Sequence, residues 1–235
     1  MTNDNNVVVI KNLRKKYPGV EALKSIDLNV PAGEITGLIG PNGSGKSTML
    51  KSIAGLVQPD DGDIKIFGQE VSRRTKEQTA FLPEINYFYK NMSIIQVINL
   101  YNSQFSTFDK EKSLDIIEFM NLKKSMRIKN LSKGMVGRVK LALTMAREVP
   151  LIIMDEPLAG IDPNSRARIL EGLISEYNAE KQSIILSTHE VLEAEKFFDN
   201  VVFLESGEVK LKGNADDLRE EHGKSIKELV REVFV

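Results

Sequence analysis

The sequence predicts an α/β fold in which a mostly parallel sheet is flanked by helices, with an antiparallel β subdomain and an inserted α-helical subdomain. Three observations carry this. Short β-branched runs alternate with longer helical patterns along most of the chain. Turns near the amino terminus, such as Pro31-Ala32-Gly33, are too short for a helical crossover, so the strands they join run antiparallel and a mixed sheet is expected. From Ser93 to Glu148 strand signals vanish and apolar residues recur at helical spacing.

Taken in order, the expected strands are Val7–Leu13, Asp27–Val30, Ile35–Ile39, Asp63–Phe67, Thr79–Leu82, Leu151–Met154, Ser183–Leu186, Val201–Leu204 and Val209–Leu211. Glu205-Ser206-Gly207-Glu208 has hairpin chemistry and joins the last two. A helix is expected over Thr48–Ala54. In the insert, Ile94, Val97, Ile98 and Tyr101, then Leu114, Ile117 and Met120, mark helical faces. Helix formers resume over Asn164–Tyr177, and Asn214–Glu221 with Ile226–Val235 form a helical tail. The expected division is residues 1–84 for the antiparallel subdomain and the first part of the core, 85–148 for the helical subdomain, 149–213 for the second part of the core, and 214–235 for the tail.

Composition narrows the function. A chain of 235 residues holds one large domain or two small ones at roughly 100–200 residues each. Its 41% hydrophobic and 28% charged residues exclude disordered and fibrous classes. Lys plus Arg number 32 against 33 for Asp plus Glu, so no global field recruits nucleic acid or anionic lipid, and any phosphate chemistry is local. The lack of cysteine excludes disulfides, thiol nucleophiles and Cys-ligated metals, and two histidines, His189 and His222, argue against a His-rich metal site. Met1-Thr2-Asn3-Asp4-Asn5-Asn6 carries no leader pattern, and no run of about eighteen apolar residues occurs, so the chain is expected to be cytosolic or to sit on a membrane without crossing it.

The strongest motif is Gly40-Pro41-Asn42-Gly43-Ser44-Gly45-Lys46-Ser47-Thr48, between an apolar strand and a helix. It matches the P-loop, whose glycines let successive N–H groups point at phosphate oxygens while the helix amino terminus adds partial positive charge. Lys46 is then expected to reach the β- and γ-phosphates of a bound nucleotide, and the Ser47 hydroxyl to ligate magnesium. A P-loop alone leaves kinases, switch proteins and motor-type ATPases open. Leu151-Ile152-Ile153-Met154-Asp155-Glu156 is an apolar strand ending in two carboxylates, which delivers Asp155 to the carboxyl edge of the sheet as the magnesium-side acid. Glu156, expected to point the other way, can accept a proton from water attacking the γ-phosphate. Leu131-Ser132-Lys133-Gly134-Met135 precedes an amphipathic helix, where Ser132 by itself reads as an ordinary cap.

In order, the P-loop, helical insert, Leu-Ser-x-Gly-x, apolar strand with Asp-Glu-Pro, Ala159-Gly160-Ile161-Asp162-Pro163 and Ser187-Thr188-His189 resemble the nucleotide-binding subunit of an ATP-binding cassette (ABC) transporter, over almost the whole chain. The resemblance implies a P-loop NTPase (RecA-like) core that binds and hydrolyses ATP with Mg2+. It implies that Tyr17 stacks on adenine, an interaction of about 1–3 kcal/mol. It implies that Ser132 and Gly134 close over the γ-phosphate held by an opposite subunit, so the active form is a dimer, with itself or with a different cassette. Asp162 is implied at that seam, with helix capping as its alternative, and His189 as a γ-phosphate contact.

Two positions depart from the family pattern. Glu84 stands where glutamine is usual, at the junction of core and insert; a carboxylate still ligates magnesium but cannot donate a hydrogen bond. Lys133 and Met135 replace a glycine and a glutamine. Together with Ala-Gly-Ile-Asp-Pro, these departures resemble cassettes serving bacterial ABC-2-type exporters, whose permease is a separate chain. The expected partners are therefore a transmembrane permease and a second nucleotide-binding subunit, with no nucleic acid, and membrane contact only through the permease at the cytoplasmic face. Tyr87-Phe88-Tyr89 is expected either to help dock the permease or to pack the insert on the core. Alternatives are a soluble cassette ATPase, disfavoured by one cassette and no basic arm, and a weakly hydrolysing regulatory module, disfavoured by Glu156.

Overall fold

The structure, a computed structural model, describes residues 5–189 and 194–234. Residues 1–4, 190–193 and Val235 of the expected tail lie outside them. The strands are β1 (Asn6–Tyr17), β2 (Val20–Pro31), β3 (Ile35–Ile39), β4 (Asp61–Ile66), β5 (Gln69–Glu70), β6 (Thr79–Leu82), β7 (Leu151–Asp155), β8 (Ser183–Thr188), β9 (Asn200–Glu205) and β10 (Glu208–Asn214). The helices are α1 (Lys46–Ile53), α2 (Arg73–Glu77), α3 (Ile94–Gln104), α4 (Lys110–Phe119), α5 (Lys133–Met145), α6 (Pro163–Ser175), α7 (Ala215–His222) and α8 (Ile226–Val233).

The antiparallel amino-terminal strands make up the expected subdomain, although the short Pro31-Ala32-Gly33 turn joins β2 to β3 without pairing them. They form their own four-stranded sheet in the order β2-β1-β4-β5. The six-stranded sheet, β10-β9-β3-β8-β7-β6, is mixed for a different reason: β10 folds back on β9 while every other neighbouring pair is parallel. β1 and β2 also run further than their hydropathy indicated. Asn12 and Ser25 adopt φ of 51° and 58°, and the register shifts between Ile10 and Leu13 break the alternation that a regular strand would show.

Alternate residues of the six-stranded sheet enter two separate cores, because successive side chains of a strand point to opposite faces. Ile152 and Met154 of β7, Ile184 and Leu186 of β8, and Val201 and Phe203 of β9 join the helical insert, α6 and the carboxyl-terminal helices. Leu151, Ile153, Ile185, Val202 and Leu204 face the antiparallel sheet and α1. Burial of both faces is why these strands read as unbroken apolar runs. In the insert, Ser93, Asp109 and Ser132 cap α3, α4 and α5 with side-chain oxygens. α5 is buried from Val136 through Met145 except at Arg138 and packs beneath β6.

Phe203 is fully buried and meets Phe234, just beyond α8, edge-on at 5.7 Å between ring centroids. Phe203→Ala is expected to cost about 3–5 kcal/mol, read as a lowered midpoint in urea unfolding.

Candidate active site at the carboxyl edge of the parallel sheet

The strand parity that builds the two cores also builds the site. Leu151 and Ile153 face α1, and two residues further on so does Asp155, which is 1% exposed. There its Oδ1 accepts hydrogen bonds from the Ser47 hydroxyl on the first turn of α1 (3.0 Å) and from the Ser187 hydroxyl of β8 (2.9 Å). Ser187 sits opposite Asp155 in the β7–β8 register and is itself fully buried.

Strand alternation would send Glu156 to the opposite face, but the chain turns at this residue. Glu156 has φ of 48°, a left-handed conformation uncommon outside glycine, and its N–H donates to Ser187 Oγ at 2.9 Å. Its carboxylate lies beside the phosphate loop: Oε1 is 3.4 Å from Lys46 Nζ, an ion pair outside hydrogen-bond geometry, and Oε2 is 2.9 Å from His189 Nδ1. Lys46 is buried, its ammonium donating to the carbonyls of Gly40 (2.7 Å) and Pro41 (3.1 Å).

The loop's shape is dictated by what surrounds it. Gly45 caps α1 at φ 109°, and a Cβ there would lie 2.5 Å from the Ala22 carbonyl of β2, so both conformation and space require glycine. Ser44 is locked by its carbonyl accepting from Gly207 N in the β9–β10 turn (2.9 Å), and Gly207 in turn accepts from Lys24 N of β2 (2.8 Å). Both sheets therefore brace the loop.

Lys46, Ser47, Asp155, Glu156 and His189 are thus brought together. Ser132 and Gly134 are not: Ser132 caps α5 by accepting from Met135 N at 3.2 Å, and among the described residues no hydrogen bond or ion pair links either residue to the P-loop or to the two carboxylates. Gly134 instead packs on Gly160, where a Cβ would lie 2.6 Å from the Gly160 carbonyl. Asp162 caps α6 through Ser165 N (3.0 Å) and pairs with Arg138 at 3.3 Å, interactions that hold its carboxyl below the usual range. Tyr17 is exposed at the end of β1, with Lys15 Nζ 5.6 Å from its ring centroid. The Glu84 side chain is exposed, and it is the backbone around it that is fixed: Lys140 of α5 donates to the carbonyls of Pro83 (2.6 Å), Glu84 (2.7 Å) and Ile85 (3.4 Å). Burial pushes the Lys140 ammonium down to about 8, against the pull of Glu84 and Asp155.

The geometry suits a small hard cation. Asp155 Oδ2 is buried without a hydrogen-bond partner beside the Ser47 hydroxyl, an all-oxygen donor set appropriate to magnesium coordinated jointly with phosphate. Ser187 and Lys140 escaped sequence reasoning. Their signals were a hydroxyl two residues after Ile185 in an apolar strand and a lone lysine in Val139-Lys140-Leu141-Ala142-Leu143.

The model of the family described as ABC transporter matches residues 23–159, which hold the P-loop, the Ser132 loop and the Asp155-Glu156 pair. The chain belongs to the ABC transporter family. As an ABC cassette it binds ATP with magnesium and hydrolyses it. It is 30% identical over 220 residues to the Nod factor export ATP-binding protein I of Cupriavidus metallidurans, covering 90% of this chain and 72% of that one. It is also 30% identical over 239 residues to the phosphonates import ATP-binding protein PhnC of Fusobacterium nucleatum, covering 91% and 96%. Among solved structures, one titled as the ATP binding subunit of an ABC transporter superposes with a TM-score of 0.84 at 31% identity, covering 97% of this chain and 99% of the other.

Ser187→Ala leaves the buried N–H of Glu156 unpaired and strips one donor from Asp155. It is expected to cost about 1–3 kcal/mol of stability and to raise the magnesium concentration needed for half-maximal ATP turnover, with Ser187→Thr restoring both. Urea unfolding and magnesium titration of phosphate release check this.

Proposed function

We propose that this cassette powers a separate membrane permease by ATP-driven closure of two cassettes, with an exporter as the system served. The observation that carries the reading is the division of the chain's phosphate-directed groups. The P-loop, Asp155, Glu156 and His189 converge at one sheet edge, while among the described residues no hydrogen bond or ion pair joins Ser132 or Gly134 at the start of α5 to the P-loop or the two carboxylates. Two copies facing each other give each site its missing half. Such closure is favoured by ATP and not by its products, which converts chemistry into movement.

At each site the P-loop N–H groups and Lys46 bind the triphosphate, with Lys46 exchanging its carbonyl partners for phosphate oxygens. Ser47 and Asp155 would hold magnesium, with Glu84 proposed as a further ligand from the insert side; when bound, the ion would supply positive charge to offset that of the triphosphate. Glu156 takes the proton of the attacking water, and His189, bonded to the same carboxylate, orients it and contacts the γ-phosphate. Tyr17 stacks on adenine. The exporter assignment is supported by the Lys133 and Met135 departures; the import and export relatives match this chain equally well.

Among the described residues no helix is long and apolar enough to cross a membrane, so the transport pathway is assigned to the partner. A groove of about 330 Å³ between the six-stranded sheet and the insert, lined by Leu56, Phe81, Pro83, Tyr87, Tyr101 and Phe105, is proposed to receive it. The aromatic run divides here. Phe88 packs on the core, Tyr87 shares a 2.7 Å hydroxyl bond with Tyr101 at the groove, and Tyr89 is 73% exposed. Burial raises the hydroxyl pKa of both groove tyrosines, so they stay neutral.

Glu156→Gln is expected to lower steady-state phosphate release by about 10²–10⁴-fold while ATP-dependent dimerisation, read by gel filtration, persists. Equal loss of binding and turnover would overturn the role given to Glu156. In affinity capture from detergent-solubilised native membranes, that variant should retain a polytopic membrane protein. Adding Leu56→Glu and Tyr89→Glu should weaken the capture by about thirtyfold, an anchor loss of about 2 kcal/mol.

A further inference from the structure

A net charge of −1 conceals a sharp local segregation. Between Glu118 and Glu148 the chain carries no acidic residue and eight basic ones. The fold then brings part of this run against another lysine. Residues 124–129 lie antiparallel to residues 90–95, held by Lys129 N to Lys90 O (2.9 Å), Ile128 N to Met92 O (2.9 Å), Ile94 N to Met126 O (3.0 Å) and Ile95 N to Lys124 O (2.9 Å). Ser93 and Arg127 form a single antiparallel bridge, after which residues 128–130 make one 3-10 turn; Met126 and Ile128 pack on the core while Arg127 and Lys129 are exposed. Lys90, Lys123, Lys124, Arg127 and Lys129 are all exposed, and among the described residues none is in an ion pair or side-chain hydrogen bond. Immediately beside Lys90 stand exposed Tyr89 and, further along the same loop, Ile85 at 70% exposure.

A cluster of exposed like charges raises the local positive potential and attracts an anionic surface. Building on the permease-bound reading above, we infer that the Lys90–Lys129 face of the helical insert contacts the anionic phospholipid headgroups of the membrane in which the permease sits. Two arguments select lipid over a protein anion. Short cytoplasmic loops of membrane proteins carry an excess of Lys and Arg, so the permease's own loops supply the wrong sign, whereas the cytoplasmic leaflet carries a negative surface potential. Tyrosine beside lysine is also the pairing found at headgroup depth, where an amphipathic ring and a cation are both accommodated. The face lies on the same insert as the proposed permease groove, so the two contacts are made together. This contact adds a direct membrane surface to the one expected through the permease alone.

The test is co-sedimentation of the purified full chain with vesicles of phosphatidylcholine alone or mixed with phosphatidylglycerol, with ATP turnover measured on the same sample. Binding to the mixed vesicles and not to the neutral ones is expected, with release at about 1 M salt, where screening reaches about 3 Å. Each basic side chain near such a surface is worth about fivefold in binding, so the combined Lys90→Gln, Lys124→Gln, Arg127→Gln and Lys129→Gln variant should lose at least about tenfold even if the effects overlap. Its turnover in the absence of vesicles should equal that of the wild type. Equal sedimentation of variant and wild type, no preference for phosphatidylglycerol, or tighter binding to duplex DNA or RNA than to the mixed vesicles overturns the lipid assignment. If vesicles bind as expected while the Glu156→Gln variant captures no polytopic membrane protein from solubilised membranes, the permease reading fails and the lipid contact stands, so the two failures are told apart.

Discussion

Asp155 is a carboxylate at 1% exposure, and a buried charge persists only when hydrogen bonds or a cation hold it. That requirement organises much of the structure. One oxygen takes two hydroxyl donors, which demands that β8 be in a register placing Ser187 opposite Asp155 and that α1 begin at Lys46 so that Ser47 reaches across. α1 begins there because Gly45 accepts a left-handed turn under the Ala22 carbonyl of β2, and this in turn fixes the antiparallel sheet against the parallel one. The other oxygen has no protein partner, so the folded chain carries an unmet demand that a cation answers. Binding the metal nucleotide therefore stabilises the fold as well as starting the reaction, since whatever binds only the native state shifts the folding equilibrium toward it.

The Ser132 loop, proposed to complete the site of a facing copy, is held away from the P-loop by contacts of its own. α5 is fixed at its start by Gly134 against the Gly160 carbonyl and, one turn later, by Arg138 against Asp162. These contacts tie the Ser132 loop to the segment that follows Glu156, so a shift of one is felt by the other. Asp162 serves as helix cap and as this tie at once, and capping by itself does not exclude a place at a seam between two copies.

Much of the catalytic edge was legible in the sequence because it is specified by short, backbone-determined patterns: glycines in a phosphate loop, and an apolar strand ending in acids. What stayed hidden depended on pairing across long separations. Ser187 matters only because it lands opposite Asp155, and nothing local marks it apart from its offset from Ile185. Glu156 was expected on the opposite face because alternation was extrapolated one residue past the end of β7, where the backbone becomes left-handed. The extent of β1 and β2 was obscured by irregularities at Asn12 and Ser25, and the lack of pairing between β2 and β3 by the fact that a short turn does not say whether the strands it joins share a sheet. The charge balance was read correctly as a sum and missed as a distribution, since residues 90 and 129 become neighbours only on folding.

Lys140 gives the helical insert a condition of exchange. Its ammonium is buried in α5 and is satisfied by three consecutive carbonyls that belong to the loop after β6, outside the helix bundle that contributes the lysine. A graft that moved residues of the insert into a cassette whose loop follows a different path would strand a cation in an apolar interior, because it is the course of the main chain at residues 83–85, and not their side chains, that satisfies Lys140. Loop and helix are consequently heritable only as a pair, and the natural point at which to cut this protein for building chimaeras lies before Pro83, not at the apparent start of the helices.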